Sequence, residues 1–140
     1  MVEQLRFIRS RAHGVLDYVT GVVLIAAPWI FQFNDVAAAK WTAIGVGVAM
    51  IASAALTNYE LSVVRVIPMH VHLGMDAVMG AFLALSPWLF GFSDEGTNAW
   101  LPHVVVGLME IAVAAMSDPW PERDDLKRRE RKTLQRPARA

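Results

Sequence analysis

The sequence contains no cysteine, which removes disulfides, thiolate metal sites and cysteine nucleophiles from consideration. It carries no net charge, since 13 Lys and Arg balance 13 Asp and Glu, so the total makes no electrostatic case for a nucleic-acid partner. There is no Gly-rich phosphate loop, no H-E-x-x-H and no G-x-S-x-G. A protein without enzymatic activity is the expectation. Charge is also scarce across most of the chain, and residues 41–58 carry none.

Apolar residues fill the space that charge leaves. They make up 55% of the chain, above the roughly 45–50% of soluble domains. They gather in four runs, 14–33, 41–58, 71–92 and 100–117. Each approaches the ~20 residues that a helix needs to cross a bilayer core. The first run follows Arg6, Arg9 and Arg11 and has the outline of a signal peptide. Asp17 interrupts it, however, and the same pattern returns in mid-chain. An all-α, polytopic membrane protein with four transmembrane helices is predicted.

Shifted by 59 residues, the sequence falls on itself without a gap. His13 meets His72, Asp17 meets Asp76, Gly21 meets Gly80, Pro28-Trp29 meets Pro87-Trp88, and Trp41 meets Trp100. Two helical hairpins are the simplest reading of such an internal repeat. Each hairpin crosses twice and returns to its starting side, so the two have parallel topology about an axis along the membrane normal. A four-helix bundle follows. Its expected parts are a basic leader (1–12), a first unit (13–58), a connection (59–70), a second unit (71–117) and a charged tail (118–140). Of the 13 basic residues only Lys40 falls in the loops within the hairpins. The bias of Lys and Arg toward the cytoplasm then puts both termini inside, in a plasma membrane.

The segment Ser86-Pro87-Trp88-Leu89-Phe90-Gly91-Phe92 resembles the signature of the SPW-repeat family of prokaryotic membrane proteins. The first copy, Ala27-Pro28-Trp29-Ile30-Phe31-Gln32-Phe33, departs at the serine and at Gln32. The resemblance runs from about Arg6 to Ser117 and implies a two-helix membrane unit with no established activity. In physical terms the proline marks a kink or a loosened last turn. Trp29, Trp41, Trp88 and Trp100 flank the hairpin loops and read as anchors at the headgroup level, joined by Phe31, Phe33, Phe90 and Phe92. A ligand platform of paired tryptophans is the alternative. Gly45, Ala49 and Ser53 form a small-residue stripe for packing inside the bundle or in a dimer, and Gly14, Gly21, Gly74 and Gly80 serve close contacts as well.

Any chemistry belongs to the polar residues within the apolar runs. His13 and Asp17 are four apart and share one helix face, as do His72 and Asp76. Asp17 falls roughly 7 Å from the midplane, where an uncompensated carboxylate is costly. Each aspartate is expected to accept from the histidine one turn away, or from Arg6 or Arg65, locking the first helix to the third. The functional alternatives are a Zn²⁺ or Mn²⁺ site, a proton or cation path, and haem ligation by His13 and His72. Glu110 falls near the midplane opposite Ile51 of the first copy, and reads as a protonated acid bonded to a carbonyl or to Ser53. His103 aligns with Ile44 and, like His70, is expected to be solvated. Ser10 is an N-cap candidate. After Pro119 and Pro121, residues from Glu122 onward place acids before bases and are expected to form a surface helix.

The function expected from these features is a non-enzymatic scaffold or accessory unit in the lipid bilayer. It forms homo-oligomers or joins another membrane protein and has no required cofactor. The alternative is a proton or cation carrier, or a metal- or haem-binding protein, using the two His-x-x-x-Asp motifs.

Overall fold

The computed structural model describes residues 8–120. The predicted tail helix and Arg6 lie outside them. Four helices follow in order: α1 (Ser10–Ile30), α2 (Ala37–Leu56), α3 (Met69–Leu89) and α4 (Thr97–Met116). All four are long and apolar enough to cross a membrane. Each begins two to four residues before its apolar run, because the first turn needs backbone hydrogen bonds and not apolar side chains. α1 packs along α2 and α3 along α4, and α2 meets α3 between the hairpins. The result is a four-helix membrane bundle of two parallel hairpins.

The hairpins correspond by 59 residues in α1 and α3, but by 60 in α2 and α4. The extra residue is in the second hairpin loop, at 90–96, which closes on Gly96 with φ 107°. An ungapped shift of 59 therefore misaligns the second helix of each unit. Glu110 corresponds to Met50, not Ile51, and His103 to Ala43, not Ile44. Gly47 corresponds to Gly107 and Thr57 to Ser117.

The close contacts confirm this register. A Cβ on Gly47 would stand 2.6 Å from the Gly21 carbonyl oxygen. A Cβ on Gly107 would collide with the Gly80 carbonyl oxygen and lie 2.5 Å from the Ala84 nitrogen. Each hairpin thus crosses backbone on backbone at a glycine pair, the close approach that lipid-embedded helices favour. Gly14 serves the same end, since its missing side chain admits the Tyr59 ring. Gly45, Ala49 and Gly74 make no such contact within the bundle, because all three face outward. Spacing shows that residues share a face, not where the face points. Ser53 alone of that stripe is buried.

At the end where α1 and α3 begin, the extended residue before each odd helix pairs with the end of an even helix. Ile8 N–H donates to Met116 O at 3.1 Å, and Ile67 N–H to Leu56 O at 2.9 Å. Ser10 is the first residue of α1 and does not cap it; Arg9 holds the cap position. The Ser10 hydroxyl instead donates to Glu60 at 3.0 Å.

The Pro-Trp segments form the ends of α1 and α3. Proline 87 has no N–H for the Leu83 carbonyl four residues earlier, and the Ser86 hydroxyl donates to that carbonyl at 2.7 Å. The chain then leaves the helix through a left-handed residue, Gln32 at φ 56° or Gly91 at φ 68°. Phe33 N–H donates to Pro28 O, and Phe92 N–H to Pro87 O, each at 2.8 Å. This is a Schellman closure. It turns Phe33 and Phe92 into the core at 1% exposure, so they do not belong to the aromatic belt. Trp29, Trp41, Trp88, Phe31 and Phe90 remain exposed and Trp100 half-buried. Among the described residues only Gln32 bears a side chain in the left-handed region. Gln32→Gly is expected to stabilise the bundle by about 0.5–1 kcal/mol, read as a raised unfolding midpoint in detergent.

A buried histidine and aspartate cluster between the hairpins

His13 and Asp17 lie on the inner face of α1, and His72 and Asp76 on the inner face of α3. All four are at most 1% exposed. Approximate twofold symmetry brings the two pairs together. The shortest contacts run between hairpins, with His13 Nε2 2.9 Å from Asp76 Oδ2 and His72 Nε2 2.9 Å from Asp17 Oδ2. The contacts one turn along the same helix are longer, at 3.3 Å for His13 with Asp17 and 3.1 Å for His72 with Asp76. The expected partnering is therefore crossed. Equal depth on two parallel helices lets each imidazole reach over to the facing carboxylate. The rings stand edge to face with centroids 5.3 Å apart. Arg65 is exposed and does not supply the compensation.

A serine hydroxyl meets the far side of each ring. The Ser117 hydroxyl lies 2.7 Å from Val113 O and 2.8 Å from His13 Nδ1. The Ser53 hydroxyl lies 3.1 Å from Met50 O and 3.5 Å from His72 Nδ1. Both Nε2 atoms face the carboxylates. Asp17 Oδ1 and Asp76 Oδ1 are buried without a hydrogen-bond donor.

Other groups enclose the cluster. Tyr59, in the 57–68 connection, is buried and stacks on His72 with centroids 6.5 Å apart. Burial raises the pKa of its phenol, so the ring stays neutral. Glu110 sits on α4 at 3% exposure beside the Thr20 hydroxyl, not Ser53, and its Oε2 has no hydrogen-bond partner.

His103 is not solvated; it is 1% exposed. Its Nδ1 lies 2.7 Å from Ala99 O and its Nε2 3.0 Å from Ala39 O. The ring packs between Phe33 and Phe92, centroids 5.4 and 4.9 Å away. It joins the loop ends of α2 and α4 and stands apart from the cluster. His70 is exposed and stacks on Trp120. Sequence reasoning missed Ser117 and Tyr59; the 60-residue register, which sets Ser117 against Thr57, is the signal that finds the first.

The four inner side chains offer ligand atoms that all lie within 4.8 Å of one another. A tetrahedral ion held at about 2.0–2.1 Å has ligands about 3.3–3.4 Å apart. The N–O contacts span 2.9 to 3.3 Å and involve both Asp17 oxygens, so a tetrahedral ion would require the four side chains to rearrange around it.

Neither a search of curated proteins nor one of solved structures returns a match. A family model, the SPW repeat domain, matches residues 11–117, the stretch that holds both hairpins and all four cluster residues. The chain belongs to the SPW repeat family.

Proposed function

We propose that this protein is a non-enzymatic membrane unit whose two hairpins are clamped together by a divalent transition-metal ion, Zn²⁺ by preference, held by His13, Asp17, His72 and Asp76. The observation that carries this reading is the crossed cluster, in which Nε2 of each imidazole faces the carboxylates and Nδ1 faces a serine hydroxyl, at 2.8 Å for His13 and a longer 3.5 Å for His72. Anchoring the outer nitrogen is the usual support of a metal-bound histidine. A dication with two carboxylates and two neutral imidazoles has no net charge, as a low-dielectric core demands. Two nitrogens and two oxygens in a closed tetrahedral set suit Zn²⁺. With no open position, the site holds structure and performs no reaction.

Haem fits this arrangement poorly. The two Nε2 atoms share the same two carboxylates, and a porphyrin between them would displace both aspartates. A metal-free lock in which histidine and aspartate share protons is the second reading, favoured by contacts of ordinary hydrogen-bond length, 2.9 Å. The bias of basic residues supports placing both termini in the cytoplasm of a prokaryotic cell, and the scaffold role implies a second copy or another membrane protein as partner.

The test is titration of the protein in mild detergent with Zn²⁺ by calorimetry and with Co²⁺ by visible absorption. One ion per chain and an intense tetrahedral Co²⁺ spectrum are expected. Absence of stoichiometric binding would overturn the metal reading and leave the proton-shared lock.

A further inference from the structure

A groove of about 740 Å³ opens between α2 and α3 toward the hairpin-loop end. Trp41, Gly45, Ala49, Phe82 and Phe90 line it, and Thr42 is the main polar group among them. Its depth comes from the two smallest of these residues. Gly45 has nothing within 4 Å of where a Cβ would stand, and Ala49 faces outward. From Ala37 to Ala49 the groove follows 12 helical rises. That is about 18 Å, against about 15 Å of hydrocarbon in one leaflet. Lys40 is not a lining residue, but its Nζ lies 5.5 Å from the centroid of the ring of Trp41, which is. Lys40 is the one basic residue in or beside the hairpin loops.

The other hairpin keeps Phe31 in place of Phe90 but lacks the small floor, Trp41 and the cation. In the 60-residue register, Val105 replaces Gly45, Met109 replaces Ala49, Leu101 replaces Trp41 and Trp100 replaces Lys40. Bulk fills the hollow and the cation is gone. The groove is thus a departure from the repeat, in which the small-residue floor, Trp41 and Lys40 changed together.

We infer that this groove is a phospholipid site, with one acyl chain lying along Gly45 and Ala49 and the phosphate paired with Lys40. The chain finds an apolar channel one leaflet long. The phosphate finds a cation and the Trp41 indole at headgroup level. The site is independent of the metal reading.

The experiment is native mass spectrometry of the delipidated protein in detergent with added dioleoylphosphatidylethanolamine. One tightly held lipid per chain is expected. Gly45→Leu/Ala49→Leu should weaken it at least 10-fold and Lys40→Gln several-fold, while Val105→Leu, at the filled equivalent, leaves it unchanged. The substituted residues face outward, and circular dichroism with gel filtration checks that the bundle survives. Should the double variant misfold, Lys40→Gln alone decides. Lipid retained equally by the groove-filled variant or by Lys40→Gln overturns the proposal. So does a dimer in place of a lipid adduct that disappears on filling, which would make the groove a contact between copies.

Discussion

Asp76→Asn is expected to weaken Zn²⁺ binding by at least about 100-fold, and Asp17→Asn by the same factor. Removal of a supporting outer-shell partner alone typically costs 10–100-fold, and in the proposed site each substitution would remove a direct ligand. The isosteric amide keeps the volume of a side chain that is 1% exposed but leaves a dication with one carboxylate in a dry core. The two variants should match because each aspartate faces the histidine of the other hairpin at the same 2.9 Å. Their combination should be little worse than either alone, since a four-ligand site that has lost one member has lost its function as a unit. Ser117→Ala should fall between, at about 10-fold, because it frees the His13 ring without removing a ligand. Calorimetric titration of variants that retain wild-type circular dichroism measures all four. An Asp76→Asn protein that binds Zn²⁺ as tightly as the wild type would exclude Asp76 as a ligand.

The cluster residues were legible because chemistry and repetition coincide in them. Histidine and aspartate are costly in hydrocarbon, and two copies at one spacing mark the same depth on two helices. Their crossed partnering was not legible. Helical spacing defines neighbours on one helix, whereas the shortest contacts run between α1 and α3. The register of the second helices was hidden by Trp41 and Trp100, which coincide at a shift of 59 although the helices around them are offset by 60. That single residue concealed the equivalence of Thr57 with Ser117 and of Gly47 with Gly107. It also gave Glu110 and His103 the wrong counterparts. Phe33 and Phe92 look interfacial by their place in the sequence. A left-handed residue before each reverses the chain and drives the ring inward, and only Gly91 announces such a turn. Burial of His103 follows from that inward turn, since Phe33 and Phe92 make its pocket.

Gly107→Ala is expected to destabilise the bundle by about 3 kcal/mol or more, at the upper end of what overpacking costs. The added methyl would meet two backbone groups of α3, the Gly80 carbonyl oxygen and the Ala84 nitrogen, and neither yields by rotating a side chain. Relief requires α4 to move off α3. Helix α4 ends beside Ser117, which anchors His13, so the displacement should reach the cluster as well. Gly47→Ala should act the same way in the first hairpin, where its Cβ would lie 2.6 Å from the Gly21 oxygen. Gly74→Ala is the control. Nothing lies within 4 Å of its added methyl, so it should gain up to about 0.5–1 kcal/mol from helix propensity. Equilibrium unfolding in mixed micelles compares the three. If Gly107→Ala unfolds with Gly74→Ala rather than far below it, the two helices do not cross backbone on backbone. If it unfolds early yet still binds Zn²⁺ like the wild type, the crossing and the cluster respond independently. The geometry predicts coupling, because the hairpin that carries Ser117 to His13 is held at its crossing by Gly80 and Gly107.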